Sequence, residues 1–345
     1  MARSFTSGSF TSDNASGVSP EVMEALVAAN DGHAGPYGGD QLTREATEMV
    51  VAALGKPADL FFVYNGTGAN TLCAKALLRS IDSIICADTS HMITNEVGAP
   101  VNATGSRMIT VPSTHGKITP EQIRKAFHDE SWWGPHATRP RMVSISQSTE
   151  LGTVYTLAEM ADIKSTCEAL GLILHVDGCR LYNVAVALDC SLSDICQYID
   201  VLSLGGTKNG LMFGEAVVFF DQTLSDGFGH IRKQGLQLHS KMRFISAQFK
   251  ALFTDDLWKR NAMQANRTMK LLADGLQPLP GIELMYPVET NQAFFTIPED
   301  MADQLMAICA FNPAGPEKGT YRMVTSFDTT EEDVLTFIEA AKRLV

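Results

Sequence analysis

Apolar runs alternate with amphipathic segments through the first two thirds of the chain. The apolar runs end in turn residues and predict short buried strands at 81–88, 107–111, 141–147, 172–177, 200–204 and 215–220. The segments between them carry helix-start signals and predict helices at 119–129 and 156–170. Strands separated by helices indicate βαβ units, so the sequence predicts an α/β fold with a mainly parallel sheet flanked by helices.

Two of the predicted helices have capping signals at their starts. Ser19 precedes a proline and an apolar stretch, which predicts a helix over 20–30 with Ser19 as its N-cap. Thr156 and Glu159 have the spacing of a capping box, in which each side chain bonds the other residue's backbone amide. Both helices are therefore expected to begin where the apolar periodicity begins.

The alternation of strands and helices ends near residue 225. A long helical region follows at 240–276, and the later elements are shorter. The last helix has one apolar face, formed by Val334, Phe337, Ile338 and Ala341. The change predicts a large domain over 1–250 and a smaller α+β domain over 251–345, with the N-terminal segment 1–18 packed against the smaller one.

Composition narrows the functional classes. A net charge of -12 and a pI near 5.1 argue against nucleic acid or an anionic membrane as partner, because such surfaces bind cationic patches. No apolar run approaches the roughly 20 residues that a membrane-spanning helix needs. The seven cysteines include no C-x-x-C pair, which is typical of reduced thiols. We expect a cytoplasmic protein that acts on a small molecule.

The stretch LGGTKNG places Lys208 where a predicted buried strand ends, among small residues that leave space beside its amine. Burial disfavours an ammonium ion, lowers its pKa and yields a nucleophile that forms a Schiff base with a carbonyl group. The alternative is that Gly205 and Gly206 form a surface loop and that Lys208 is solvated.

A second strand exit carries Asp177, followed by Arg180. An aspartate leaving a buried strand is costly unless a cation meets it. One helix and one strand separate Asp177 from Lys208, so both side chains can enter one crevice. Pyridoxal phosphate enzymes need this pair, a lysine for the cofactor aldehyde and a carboxylate for the pyridine nitrogen. The alternative is a structural salt bridge between Asp177 and Arg180.

Other candidate binding groups lie at a helix start and at two strand exits. Gly66, Thr67 and Gly68 open an apolar helix, whose free amides and positive dipole end would hold a phosphate. The alternative there is a tight turn. His91 and Glu150 each follow a predicted strand, where a side chain can contact a ligand or move a proton, although most such residues are structural or solvated.

An ordered set of motifs extends over nearly the whole chain. It comprises SDN at 12–14, GPYGGD at 35–40, NGTGAN at 65–70, SH at 90–91, VDGCR at 176–180, GGTKNG at 205–210, SKMRF at 240–244 and RMVTSF at 322–327. This set resembles the low-specificity L-threonine aldolases. Those enzymes use pyridoxal 5'-phosphate and have the aspartate aminotransferase fold, fold type I, so the resemblance implies that fold for the large domain.

The resemblance implies roles for the cofactor-binding residues. Lys208 corresponds to the Schiff-base lysine, and Asp177 to the partner of the pyridine nitrogen. His91 corresponds to the residue that stacks on the cofactor face. The phosphate site corresponds to Gly66, Thr67 and Gly68.

The resemblance also implies a substrate site. Arg180 and Arg322 correspond to the arginines that hold the substrate carboxylate, with Ser12 nearby. His136 corresponds to a histidine close to the substrate hydroxyl group. Cys179 departs from the alanine that many members carry, a change expected to affect packing more than chemistry.

A further implication is a homo-oligomer with shared active sites, a tetramer built from dimers. Arg243 corresponds to an arginine that reaches the cofactor phosphate of a neighbouring subunit, and Tyr37 is expected at the same interface. A second phosphate-contacting cation, with Lys233 as a candidate, is not placed by the motifs.

The implied reaction is retro-aldol cleavage of L-threonine, L-allo-threonine and related β-hydroxy-α-amino acids to glycine and an aldehyde, through an external aldimine. The catalytic base stays open between His91 and His136, with Glu150 as a weaker candidate. One alternative is another fold type I reaction, such as phenylserine cleavage, β-elimination, racemisation or transamination. Another is an α/β protein that binds a nucleotide or a protein partner and forms no Schiff base.

Overall fold

The computed structural model describes residues 9–345, and its centre is a seven-stranded sheet. The strands of this sheet are β1 Asp59–Val63, β2 Asp82–Ala87, β3 Arg107–Val111, β4 Arg139–Ser146, β5 Ile173–Gly178, β6 Val201–Leu204 and β7 Glu215–Phe219. Their order is β1-β7-β6-β5-β4-β2-β3. Neighbouring strands are parallel except where β7 pairs with β1 and β6. The prediction of a mainly parallel sheet is confirmed.

All six predicted strands form, and two features of the sheet were not predicted. Strand β1 lies at the sheet edge and buries only its last two residues, so its own sequence carries a weak burial signal. Strand β7 is antiparallel because residues 205–214, which connect it to β6, contain a single 3-10 turn and no α-helix. A parallel pair needs a longer crossover connection.

Fourteen α-helices surround the sheets in the described part of the chain. They are α1 Pro20–Ala28, α2 Gln41–Leu54, α3 Gly66–Leu77, α4 His91–Thr94, α5 Ala99–Thr104, α6 Pro120–Ser131, α7 Leu157–Leu170, α8 Leu181–Ala187, α9 Leu192–Cys196, α10 Phe228–Gln234, α11 Arg243–Phe253, α12 Leu257–Leu276, α13 Glu299–Met306 and α14 Glu331–Lys342. No described helix combines the length and apolar character that crossing a membrane requires.

Both predicted caps are confirmed in position, but only one makes the side-chain bond of a cap. Thr156 and Glu159 form the complete capping box at the start of α7. Ser19 occupies the N-cap position of α1, but its side chain makes no capping bond. Its hydroxyl group instead accepts a hydrogen bond from Asn261 Nδ2 at 3.0 Å, so a long-range contact replaces the local one.

The C-terminal part of the chain builds a second sheet with its own apolar core. The strands are β8 Glu283–Leu284, β9 Gln292–Thr296, β10 Asn312–Pro313 and β11 Thr320–Val324, in the order β10-β11-β9-β8. The predicted apolar face of α14 is buried in this core. Helix α12 contributes Leu257 to the large-sheet core and Leu272 to the second one. Phe10 is fully buried in the second core.

Candidate active site

A cavity at the carboxyl end of the large sheet brings Asp177 and Lys208 together. Asp177 lies near the end of β5, and Lys208 follows the adjacent strand β6. Both line what is here called the Lys208 cavity. The other lining residues are Gly66, Thr67, Ala69, Asn70, His91, Glu96, Cys179, Ser203, Leu204, Gly205 and Glu215. The crevice expected from the two strand exits therefore exists.

Lys208 lies on a 3-10 turn, Thr207–Asn209, directly beyond β6. Gly205 and Gly206 are buried, so the alternative of a solvated surface loop is wrong. A side chain at Gly205 would place its Cβ 2.7 Å from the Cα of Cys179, closer than two carbon atoms can approach. Glycine is therefore required where the two strand exits meet.

The pKa of Lys208 differs from the expectation. Burial lowers it, but electrostatic interactions with Cys179 and with the carboxylates of Asp13 and Asp177 outweigh that effect, so the pKa of Lys208 lies above its ordinary value. The expected lowering is wrong because it counted burial and left out the two carboxylates. Lys208 is thus an ammonium ion at neutral pH, and it must lose a proton before it attacks a carbonyl group.

Asp177 is a buried carboxylate that the cavity keeps ionised. Burial raises its pKa, but Lys208 and a hydrogen bond from Asn70 Nδ2 of 2.8 Å outweigh that effect, so the pKa of Asp177 is below its usual value. The amide of Cys179 donates a further bond of 3.1 Å. The alternative of a structural Asp177 to Arg180 salt bridge is wrong, since Arg180 pairs with another aspartate.

A hydrogen-bonded chain connects Asp177 to His91 through two buried residues that the sequence analysis missed. Asn70 Nδ2 donates to Asp177 Oδ2 and to Glu96 Oε1, each at 2.8 Å. Glu96 Oε1 also lies 2.8 Å from His91 Nδ1. Glu96 Oε1 already accepts from Asn70, so we assign Nδ1 of His91 as a second donor to it, which leaves Nε2 outside this bond. Asn70 lies one helical turn after Gly66 on α3, so the two residues share one face of the helix. This spacing could have indicated from the sequence that Asn70 lines the same cavity.

The start of α3 presents backbone amides to the cavity. Gly66 and Thr67 are the first two residues of the helix, and their amides have no acceptor within it. Gly68 differs, because its amide donates to the N-cap side chain of Asn65 at 2.7 Å. An anion at this helix end would therefore meet the amides of Gly66 and Thr67 first.

Glu215 is a further buried carboxyl group of the cavity that the sequence did not reveal. Its Oε2 accepts a 2.6 Å bond from the amide of Gly206, and the hydroxyl group of Thr207 also bonds to it. Burial raises the pKa of Glu215 to about 7, although these bonds and Lys208 lower it in part. Glu215 thus fixes the turn that carries Lys208.

Arg180 forms a buried, two-bond ion pair with Asp13. Its Nε donates to Asp13 Oδ2 at 2.7 Å, and its Nη2 donates to Oδ1 at 3.0 Å. Asn291 Nδ2 adds a bond of 3.1 Å to the same carboxylate. Asp13 belongs to the SDN motif, in which only Ser12 had been singled out. Ser12 itself caps the turn that follows, accepting from the amide of Asn14.

Arg322, on β11, has the same arrangement with a neutral partner. Its Nε and Nη2 both donate to Gln292 Oε1, at 3.1 and 2.7 Å. Burial, and then the charge of Arg180, lower the pKa of Arg322 to about 10. The two guanidinium groups that the resemblance pairs are therefore within electrostatic reach of each other.

Seven of the predicted site residues do not line the Lys208 cavity of their own chain, namely Ser12, Tyr37, Gly68, His136, Arg180, Arg243 and Arg322. His136 is exposed beside two exposed tryptophans. Arg243 donates to the carbonyl of Gly32 at 3.1 Å. Tyr37 is half-exposed, and Lys233 Nζ lies 4.6 Å from the centre of its ring.

Glu150 supports His91 through the backbone. Its Oε1 accepts from the His91 amide at 2.8 Å and from Ser146 Oγ at 2.6 Å. Burial raises the pKa of Glu150 above its ordinary value. Oε1 of Glu150 is therefore already hydrogen-bonded to the first residue of α4.

Comparison with known proteins gives this geometry a family. The sequence model of the beta-eliminating lyase family matches residues 9–300. The low-specificity L-threonine aldolase of Pseudomonas aeruginosa is 40% identical over 328 residues, which cover 94% of each chain. The threonine aldolase structure from Leishmania major has a TM-score of 0.93 at 32% identity, covering 98% of this chain and 99% of that one.

A more distant structure extends the fold comparison. A mutant aspartate aminotransferase of Thermus thermophilus has a TM-score of 0.70 at 16% identity, over 96% of this chain and 94% of that chain. At this identity the likeness concerns the fold alone, and it confirms the expected aspartate aminotransferase-like architecture. The chain belongs to the beta-eliminating lyase family and, within it, to the low-specificity L-threonine aldolases.

Proposed function

We propose that this protein is a pyridoxal 5'-phosphate-dependent aldolase that cleaves L-threonine, L-allo-threonine and related β-hydroxy-α-amino acids to glycine and an aldehyde. The observation that carries the proposal is that Lys208 and Asp177, at the ends of adjacent strands, line one cavity. The similarity to the threonine aldolases of Pseudomonas aeruginosa and Leishmania major supports the choice of reaction.

The residues of the Lys208 cavity fit this cofactor. Asp177 is buried and ionised, as an acceptor for a protonated pyridine nitrogen must be. A Cβ built on Gly66 would meet nothing within 4 Å, which leaves space beside the first amides of α3. Among the described residues, the buried atoms Asn70 Oδ1 and Glu96 Oε2 have no hydrogen-bond partner, so the cavity offers polar groups to a polar ligand.

Each part of the cofactor has a counterpart in the cavity. Lys208 would bond the aldehyde carbon, Asp177 would hold the pyridine nitrogen, and the amides of Gly66 and Thr67 would bind the phosphate. When bound, the cofactor supplies an electron sink for the bond between Cα and Cβ of the substrate.

His91 is the proton acceptor that the geometry favours. It lines the cavity, whereas His136 is on the surface and Glu150 is bonded to a backbone amide. Glu96 holds Nδ1 of His91, so Nε2 is the atom that accepts the proton of the substrate hydroxyl group. Arg180 and Arg322 would hold the substrate carboxylate by charge-assisted bonds.

The proposal includes a homo-oligomer, a tetramer built from dimers. The Lys208 cavity is rich in carboxyl groups, namely Asp177, Glu96 and Glu215, so a phosphate dianion there needs another cation. Arg243 lies outside the cavity of its own chain and would supply that cation to a neighbouring chain, with Tyr37 at the same interface. We place the protein in the cytoplasm because its seven cysteines are scattered along the sequence and include no C-x-x-C pair.

The experiment that tests this function combines spectroscopy with product analysis. Purified protein and Lys208→Ala are mixed with pyridoxal 5'-phosphate, and the visible absorbance of a protein-bound imine is recorded. L-threonine is then added to both. The wild type is expected to show the band and to release glycine and acetaldehyde in equal amounts, and Lys208→Ala to show neither.

Two results would reject the proposal. A colourless wild type that is indistinguishable from Lys208→Ala would exclude the cofactor role of Lys208. Pyruvate and ammonia in place of glycine and acetaldehyde would assign the cavity to β-elimination instead.

A further inference from the structure

Arg180 and Arg322 are oriented in the same way. Each uses its Nε and Nη2 edge for a bond to a buried side chain, Asp13 in one case and Gln292 in the other. Each thereby leaves the Nη1 end of its guanidinium group directed away from its partner. Arg180 Nη1 has only a distant contact of 3.9 Å with Cys179 Sγ. Arg322 Nη1 has no hydrogen-bond acceptor among the described residues.

We infer that Asp13 and Gln292 are positioning residues that aim the Nη1 groups of Arg180 and Arg322 at the carboxylate of the amino acid substrate. This inference rests on the proposed function, because it presumes that an amino acid occupies the site. It adds the two side chains that fix how the arginines present their donors.

The surroundings of Asp13 show that the arrangement is built into the fold. Asp13 and Asn291 are each 1% exposed. Asn291 Nδ2 donates both to Asp13 Oδ2 and to the carbonyl of Thr325, which follows β11. The N-terminal segment is tied to the same strand, since the amide of Val324 donates to the carbonyl of Phe10 at 2.9 Å. Asp13 thus holds Arg180 from the side of the molecule that carries Arg322.

Gln292 holds Arg322 as Asp13 holds Arg180, and the side-chain amide nitrogen of Gln292 is left without an acceptor. Its Oε1 accepts both bonds from Arg322, so its amide nitrogen must point elsewhere. Gln292 is 1% exposed, and its Nε2 has no partner within residues 9–345. A buried donor without an acceptor is costly, and a bound carboxylate would supply the missing acceptor.

The charges also match one carboxylate. Two guanidinium groups and the carboxylate of Asp13 leave a single net positive charge. An uncharged partner on Arg322 preserves that charge, whereas a second acid would cancel it. The pairing of one acid with one amide therefore both orients the two arginines and keeps an attraction for a carboxylate.

The test compares glycine with glycinamide, which lacks the carboxylate, by calorimetric titration of the holoenzyme. In Asp13→Asn and Gln292→Met, the ratio of glycine to glycinamide affinity is expected to fall about 10-fold to 100-fold, because the arginines are no longer held. Glycinamide affinity and the absorbance of the bound cofactor are expected to stay at wild-type values.

The matched control is Asp82→Asn. Asp82 is as buried as Asp13 and is also bonded to an arginine, Arg139, at 2.8 Å, but it lies at the opposite end of the sheet strands from the cavity. Asp82→Asn is expected to lose stability without changing the affinity ratio. If Asp13→Asn does not fold, Gln292→Met decides, because this change keeps the side-chain volume and involves no ion pair.

The outcomes separate this inference from the proposed function. An unchanged affinity ratio in Gln292→Met, with a normal cofactor spectrum, would overturn the positioning role alone. A wild type that shows no cofactor spectrum and binds neither ligand would instead reject the proposed function. A ratio that falls equally in Asp82→Asn would reduce the effect to general destabilisation and would also overturn the positioning role.

Discussion

Asp177 and Lys208 stabilise each other's charged form across the ends of β5 and β6. The ammonium group of Lys208 lowers the pKa of Asp177, and the carboxylate of Asp177 contributes to the raised pKa of Lys208. Each charge therefore offsets part of the free-energy cost of burying the other. A ligand that separates them would have to offer Asp177 a new cation and take up the amine of Lys208. A ring with a cationic nitrogen at one end would supply the cation, and an aldehyde at the other would react with the deprotonated amine.

Replacing Asp177 by asparagine is predicted to uncouple the pair. In the apoprotein, the pKa of Lys208 should fall, because one of the charges that raise it is gone. Reductive methylation of Lys208, followed by mass spectrometry across a pH series, should therefore reach half-completion at a lower pH. Threonine cleavage should fall about 100-fold to 1000-fold, the range for loss of one preorganised charge partner.

Asp200→Asn is the control for this prediction. Asp200 pairs with a different lysine, Lys164, at 2.6 Å. Its removal should change the methylation of Lys164 and leave that of Lys208 as it was. An identical Lys208 profile in wild type and Asp177→Asn would contradict the coupling.

Glu215 is predicted to make the stability of the protein depend on pH. Its pKa is raised to about 7 in the folded state from 4.5, so between these values the folded protein holds a proton that the unfolded chain has released. Stability is then lost as pH rises from about 4.5 to about 7, by about 3 kcal/mol for this group. Glu215→Gln should remove that loss and be more stable than wild type above pH 7.

Urea unfolding at a series of pH values measures this difference. The quantity to compare is the free energy of unfolding of Glu215→Gln minus that of wild type, because other titrating groups cancel in it. Glu24→Gln, a change at an exposed glutamate of α1, is the control and should give a flat difference. A flat difference for Glu215→Gln as well would show that its carboxyl group titrates normally.

Lys208 and Asp177 were predictable because each lies at the end of an apolar strand. The end of such a strand is marked in the sequence by the neighbouring residues, where an apolar run gives way to turn residues. Asp13 was not, because its meaning depends on a bond to Arg180, 167 residues away. The missing capping bond of Ser19 has the same cause: Ser19 is the N-cap of α1 as predicted, but its hydroxyl group accepts from a distant asparagine instead of capping the helix. Local periodicity thus predicts strands and their exits, while the packing of distant segments decides which polar groups meet.

The proposed sharing of sites between chains predicts complementation. Lys208→Ala and Arg243→Ala should each be inactive alone. In a hybrid dimer, one cavity keeps its own Lys208 and receives Arg243 from the other chain, so that cavity is complete. Unfolding and refolding an equal mixture should restore roughly a quarter of wild-type activity, because half the dimers are hybrids with one intact site each.

The same mixture gives its own control. Lys208→Ala mixed with the double variant Lys208→Ala/Arg243→Ala contains no intact Lys208 and should remain inactive. If the first mixture also remains inactive while hybrids are shown to form, Arg243 acts in its own chain or not at all.

Alanine is predicted to destabilise the apoprotein at one glycine of the cavity and not at another. At Gly205, a Cβ would collide with the backbone of Cys179, 2.7 Å from its Cα and 2.8 Å from its carbonyl carbon, so one strand exit must move. Gly205→Ala should lower the free energy of unfolding of the apoprotein by about 1 to 3 kcal/mol. At Gly66 nothing lies within 4 Å of the added carbon, so Gly66→Ala should leave apoprotein stability almost unchanged.

The two variants should differ again when the cofactor is added. The space beside Gly66 is where the phosphate would approach the amides of α3, so the methyl group of Gly66→Ala should weaken pyridoxal 5'-phosphate binding despite normal stability. Urea unfolding of the apoprotein and titration of cofactor absorbance measure the two effects separately. If Gly66→Ala binds the cofactor as tightly as wild type, the phosphate does not lie at the start of α3, because a group bound against these amides cannot share their space with a new carbon atom.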